Sequence, residues 1–104
     1  MHPVRVEWLL PSEGGRRKNL GRGKYYPVAK FPDDIDWPNN SWSVVLELDE
    51  PVQYSEKYMS TGTVRFLMKN APEEKMHINS QFEIYEGPQK VADVFLLAAT
   101  KLNS

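Results

Sequence analysis

Two strand-like stretches, joined by a turn signal, lie within residues 81–97 and constrain the fold more than any other part of the chain. Apolar and polar residues alternate in residues 81–85, and residues 91–97 return as a second strand with Val94 and Leu96 on one face and Phe95 on the other. A period of two is typical of a strand with one buried face. Between the stretches, Gly87 permits a positive φ and Pro88 fixes its own, which favours a tight turn. The segment is predicted to be a β-hairpin.

The same alternation recurs between turn signals along the rest of the chain. It marks predicted strands at residues 4–10, 25–31, 43–48 and 63–68. Pro27 has no N–H to donate to a sheet, so its strand is expected at an edge or with a bulge. Residues 52–60 fit either a loop or a short edge strand. Thr61-Gly62 is expected to be a turn. Because no stretch has a convincing helical pattern, the strands predict an all-β barrel or sandwich.

Length and composition bound the classes of protein that remain. The 104 residues suffice for one domain with a modest core. The chain has no cysteine, which excludes disulfides and thiolate metal sites. No apolar run approaches the ~20 residues of a membrane helix, and the first residues lack the basic-then-apolar pattern of a leader. We expect a soluble, cytoplasmic protein with no membrane partner.

The charges are segregated along the chain although the net charge is only -1. All charged residues within 16–30 are basic, and all those within 33–56 are acidic. One interpretation is that two solvated loops attract each other weakly. The other is that the basic stretch forms a surface for an anionic partner.

Residues suited to catalysis or metal binding are few. The histidines are His2, at the chain end, and His77, expected in a turn, and they show no metal-ligand spacing. Glu73 and Glu74 near His77 favour a solvated loop. No serine has the context of a nucleophile elbow. The sequence therefore predicts no catalytic residue, no metal ligand and no cofactor.

Basic and aromatic residues suited to nucleic acid occur together in the loop of residues 16–24 and just after it. Arginine can hold a phosphate with two hydrogen bonds, and a tyrosine ring can stack on a base. The candidate nucleic-acid-binding residues are Arg16, Arg17, Lys18, Arg22, Lys24 and Tyr25. The alternative is that one tyrosine fills the core and the loop is only solvated. A pI near 6.1 also tells against a dedicated RNA binder.

Two tryptophans, Trp37 and Trp42, are candidates for protein binding. They lie in a loop with several aspartates, and tryptophan is enriched at the energetic centre of interfaces. The alternative is that at least one of them covers an open end of a barrel.

Four short motifs resemble those of the C-terminal β-barrel domain of elongation factor Tu and related translational GTPases. They are GGR at residues 14–16, GKYYP at residues 23–27, MSTG at residues 59–62, and FEIYEG at residues 82–87 followed by Val91. In that family a Gly-Gly-Arg loop leads into a Gly-x-x-Pro strand, a Met-x-Pro-Gly turn precedes another strand, and a Phe-x-Ile-x-Glu-Gly hairpin precedes the last one. The resemblance spans about residues 3–98, as a stand-alone domain.

The resemblance implies a closed Greek-key β-barrel of about six antiparallel strands, which we take as a single domain over residues 1–104. It also implies that Arg16 and Arg17 match positions that contact the T arm of tRNA in the family. The chain lacks a GxxxxGK[ST] loop, so binding of GTP is not implied. Ala92 and Asp93 replace glycines that are common in the family, and Asp93 is expected to be exposed or paired. The predicted core is Val6, Trp8, Val28, Val44, Leu46, Val64, Phe66, Phe82, Ile84, Val94 and Leu96.

Three functional hypotheses follow. The first is a non-enzymatic binding module whose loops contact a partner protein. The second is a domain that contacts RNA, such as tRNA, through the loop of residues 16–24. The third is a small hydrolase whose site has no recognisable motif.

Overall fold

A computed structural model describes residues 1–10, 12 and 21–97 of the chain. Its strands, in chain order, are β1 (His2–Trp8), β2 (Gly23–Tyr25), β3 (Val28–Lys30), β4 (Trp42–Leu48), β5 (Val52–Tyr54), β6 (Lys57–Phe66), β7 (Gln81–Glu86) and β8 (Gln89–Leu96). One short helix, α1 (Lys75–Ile78), lies between β6 and β7. No helix in the described part is long and apolar enough to cross a membrane.

Six strands close into an antiparallel barrel, as predicted. They follow one another around the barrel in the order β4, β3, β7, β8, β1 and β6, and pairing of β6 with β4 closes the ring. Several neighbours, such as β3 with β7 and β1 with β6, are distant in the sequence, as in Greek-key winding. The hairpin of β7 and β8 turns at Gly87, whose φ is 59°, and is confirmed.

The strands β2 and β3 are one strand interrupted at a proline. Tyr25 pairs with Leu46 and Val28 with Ser43, which is a single continuous register along β4. Pro27 cannot donate a hydrogen bond, but its carbonyl accepts one from the Val44 N–H at 3.0 Å. The expected bulge is wrong, because the register is unbroken, and β3 is not at an edge, because it pairs with both β4 and β7. Pro27 instead interrupts the strand.

Residues 52–60, for which the sequence fits either a loop or a strand, form a hairpin. Residues 52–54 belong to β5 and residues 57–60 to the first part of β6. The turn predicted at Thr61-Gly62 is wrong, because β6 continues through both residues. A Cβ at Gly62 would lie 1.9 Å from the carbonyl oxygen of Glu47 on β4. The glycine is thus required by the close approach of two strands, and not by a turn.

Most of the predicted core is buried, with two exceptions. Val28 is only half-buried because its neighbour Ala29 faces the interior, and Leu96 is half-buried against the core. The alternation in the predicted strand at residues 63–68 also puts Met68 on the inward face with Val64 and Phe66, but Met68 is 53% exposed because β6 ends at Phe66. Buried residues absent from the predicted core are Val4, Pro27, Ala29, Phe31, Val45, Leu48, Ser60, Met76, Val91 and Ala92.

An aromatic cluster lies at the end of the barrel that carries α1. The ring centroid of Phe31 is 4.7 Å from that of Phe82 and 5.9 Å from that of Phe66. These residues stand just after β3, near the start of β7 and at the end of β6, which meet at one end of an antiparallel barrel. Met76 of α1 is buried in the same core. The short helix therefore packs against the core at this end, next to the connection between β3 and β4.

Candidate functional site

The tryptophan loop, residues 33–42, connects β3 to the start of β4. Hydrogen bonds hold it in place where it leaves the barrel. The N–H of Asp34 donates to the carbonyl of Phe31 at 2.9 Å, and the Asp34 carboxylate accepts from the N–H of Phe31 at 2.8 Å. Aspartate commonly stabilises a turn in this way. Because Phe31 is 2% exposed, the first turn of the loop is tied to the core.

The helix α1 holds the same turn from the other side. Nζ of Lys75 donates to Asp34 Oδ1 at 2.8 Å and to Asp33 Oδ2 at 3.1 Å. Nδ2 of Asn79 donates to Asp33 Oδ1 at 3.0 Å. The hydrogen bonds from Asn79 and then Lys75 lower the pKa of Asp33. Burial works to lower the pKa of Lys75, but its bonds to Asp34 and Asp33 outweigh this and the pKa is raised.

The indole of Trp37 lies against the barrel wall. Its Nε1 donates to the carbonyl of Ala29 at 3.0 Å, and its ring centroid is 4.4 Å from that of Tyr85. Nζ of Lys30 stands 5.5 Å from the indole ring, within the range of a cation–π contact. Trp37 is half-buried and fixes the middle of the loop.

An ion network on β7 and β8 borders this aromatic contact. Nζ of Lys90 lies 3.2 Å from Glu83 Oε2 and 2.9 Å from Asp93 Oδ1. The Tyr85 hydroxyl donates to Glu83 at 3.0 Å. Burial, followed by the bond to Glu83, raises the pKa of Tyr85. The expectation that Asp93 is exposed or paired is confirmed, because it is paired with Lys90.

Trp42 has a different place from Trp37. It begins β4, pairs with Ala29 in register and packs, half-buried, against the core. The most exposed apolar residue at this surface is instead Ile35, whose side chain is 97% accessible. Ile35 is not among the residues predicted from the sequence to bind a partner. The signal in the sequence is a single aliphatic residue between two aspartates, which has no apolar neighbour to pack against. The two tryptophans of the loop, in contrast, can pack against the barrel.

The other predicted binding residues are only partly within the described chain. Arg16, Arg17 and Lys18 lie outside the described residues. Arg22 and Lys24 are exposed, and Lys24 Nζ is 4.0 Å from Glu47.

Tyr25, the aromatic member of the predicted nucleic-acid set, is half-buried. Its ring lies 5.8 Å from that of Trp8, and its hydroxyl donates to the carboxylate of Glu86. The next residue, Tyr26, is more exposed, at 56%.

One group among the described residues has the side chains to hold a metal ion. It consists of His2, Glu73 and His77, whose ligand atoms lie within 4.8 Å of one another. His2 is part of β1 and not a loose chain end, and His77 belongs to α1 and not to a turn. The sequence shows no ligand spacing because β1 and α1 meet only in the folded chain.

The fold and these sites define a small closed β-barrel with an anchored acidic and aromatic loop at one end. Comparison with known protein families, with curated proteins and with solved structures finds no match. The likeness to the barrel of elongation factor Tu stays a prediction from the motifs.

Proposed function

We propose that this protein is a non-enzymatic binding module that presents the tryptophan loop to a partner protein. The observation that carries the proposal is Ile35, 97% exposed at a loop whose flanks are held on both sides. Phe31 and Asp34 fix the first turn, and Trp37 fixes the middle. A loop ordered before binding loses less conformational entropy when a partner docks.

The chemistry of the loop indicates the kind of partner. An exposed isoleucine suits an apolar pocket, which would remove it from water. Asp36 beside it is exposed, and Asp33 is partly exposed although it is paired with Lys75. We expect the pocket of the partner to be bordered by lysine or arginine, which complements this acidic surround. A cytoplasmic location belongs to the same proposal and is supported by the absence of cysteine from the sequence.

Affinity capture with matched baits tests this function. The baits are the wild type, Ile35→Ser, Trp37→Ala and, as a control, Val52→Ser, which changes a 62% exposed aliphatic residue on β5. We expect a protein bound by the wild type and by Val52→Ser to be reduced about tenfold or more with Ile35→Ser. Thermal unfolding of Ile35→Ser should match the wild type, since the side chain makes little contact. A partner retained equally by all four baits would refute this surface.

A second candidate function, contact with RNA, is favoured by the exposure of Tyr26. Its ring follows the exposed Arg22 and Lys24, so phosphate binding and base stacking are available side by side. Binding to tRNA should be strongest at low salt and weaken as salt is added. Tyr26→Ala should reduce it, while Tyr54→Ala, at a 72% exposed tyrosine in β5, should not. No binding at low salt would rule out this function.

A further inference from the structure

The start of β1 and the short helix α1 bring two histidines and a glutamate together at the end of the barrel. Nε2 of His2 lies 2.6 Å from Glu73 Oε2, and Nε2 of His77 lies 3.9 Å from the same oxygen. The two imidazole rings meet edge to face, with centroids 5.3 Å apart. Glu73 is therefore between two imidazoles that come from distant parts of the sequence.

The spacing is close to what one metal ion requires. Zinc binds nitrogen and oxygen ligands at about 2.0–2.2 Å in tetrahedral geometry, which puts neighbouring ligand atoms about 3.4 Å apart. All three ligand atoms already lie within 4.8 Å of one another. The remaining adjustment is small, and Glu73 and His77 have room to make it because their side chains are 59% and 63% exposed.

A hydrogen bond alone accounts for His2 and Glu73 but not for His77. The 2.6 Å contact is a good hydrogen bond between an imidazole and a carboxylate. The 3.9 Å separation of His77 from Glu73 is too long for one. His77 lies four residues after Glu73 and meets the His2 ring edge to face, so it brings a third ligand atom beside the hydrogen-bonded pair.

We propose that His2, Glu73 and His77 bind a divalent ion of the late first-row transition metals, of which Zn²⁺ is the leading candidate. Two imidazoles and one carboxylate suit such ions, whereas Mg²⁺ and Ca²⁺ prefer oxygen ligands. Three protein ligands leave coordination positions for water or another small ligand. His2 and His77 line a cavity of about 480 Å³ together with Met1, Pro3, Met76 and Ile78.

Isothermal titration of the untagged protein with ZnCl₂ tests the site, since a histidine tag would bind the metal itself. We expect one Zn²⁺ per chain for the wild type and about tenfold or more weaker binding for His77→Ala and for Glu73→Gln. Glu74→Gln is the matched control, because Glu74 is an exposed neighbouring carboxylate outside the cluster, and it should bind as the wild type does. Binding of Zn²⁺ should also raise the temperature of unfolding.

His77→Ala is the decisive variant, since the exposed His77 side chain can be removed without loss of the fold, whereas His2 is only 21% exposed. Replacing Zn²⁺ with Co²⁺ adds an optical test, since nitrogen ligation should give visible absorption that His77→Ala weakens. The proposal is overturned if the wild type does not bind Zn²⁺, or if His77→Ala binds it as tightly as the wild type. It is also overturned if Mg²⁺ competes equally, which would indicate attraction to surface carboxylates only. Loss of protein-partner binding in Ile35→Ser has no bearing on these outcomes.

Discussion

Trp8 donates its indole N–H to the hydroxyl of Ser60 at 2.9 Å, and both residues are buried, Trp8 at 4% and Ser60 at 2% exposure. The bond joins β1 to β6 inside the barrel. A buried donor without a partner costs free energy that water no longer compensates. This contact therefore sets the orientation of the largest aromatic side chain in the core.

The variant Ser60→Ala should lower the free energy of unfolding by about 1–3 kcal/mol, because it leaves the Trp8 N–H buried without its acceptor. Urea denaturation with tryptophan fluorescence measures the change. The control is Ser80→Ala, at an exposed serine, which should change stability little. Equal stability of Ser60→Ala and the wild type would contradict a structural role for the bond.

Gly62→Ala should destabilise the barrel by about 3 kcal/mol, the upper range for forcing an extra methyl group into a packed interior. The added Cβ would lie 1.9 Å from a backbone oxygen of β4, which has no rotamer by which to move away. Gly21→Ala is the matched control, since nothing lies within 4 Å of its Cβ position. The midpoint of thermal unfolding separates the two variants, and similar midpoints would disprove the close approach.

Lys75→Met should loosen the tryptophan loop while leaving the barrel folded. The variant keeps an unbranched side chain that is one atom shorter and removes the donor shared by Asp33 and Asp34. Amide hydrogen exchange at Asp34 should become about tenfold faster. The reason is that local opening of the loop costs less free energy when there are no hydrogen bonds from Lys75 to break. Lys69→Met, at an exposed lysine, serves as the control. Unchanged exchange in Lys75→Met would show that the other contacts of the loop hold it in place without Lys75.

The pairing of Asp33 should appear in the pH dependence of stability. Its folded-state pKa lies below the ordinary value of 3.8, so the folded state binds this proton less readily than the unfolded state. The stabilising contribution is full above the ordinary pKa and is lost as the pH falls through the lowered folded pKa. The stability difference between the wild type and Asp33→Asn should be constant near neutrality and shrink below 3.8. A difference that persists unchanged in strong acid would contradict this linkage.

Much of the fold can be predicted because its signals are local. Alternation in β7, strand-forming residues in β8 and the turn residues Gly87 and Pro88 between them identify a hairpin without knowledge of any other part of the chain. The wrong prediction that Val28 belongs to the core could have been avoided from the sequence. Alternate positions share the inward face, and they are occupied by Tyr25, Pro27, Ala29 and Phe31. Val28 is predicted as a core residue because it is larger than Ala29, although the alternation puts Ala29 on the inward face.

Other features cannot be predicted because they depend on residues distant in the sequence. Gly62 has the appearance of a turn residue, but its role is set by the backbone of β4. Val91 and Ala92 are both buried because the β7–β8 register shifts near Ile84 and Tyr85, which breaks the alternation. A period-based prediction has no means to locate such a bulge.

The sequence by itself determined the class of fold, since strand periodicity, turn residues and the proline break depend on neighbours along the chain. Only the tertiary structure decided which side chains meet at the candidate sites. Asp33 meets Lys75, and His2 meets Glu73, although the partners are 42 and 71 positions apart in the sequence respectively. The physical reason is that closing the barrel fixes the register of every strand, and this register determines which distant side chains share one end of it.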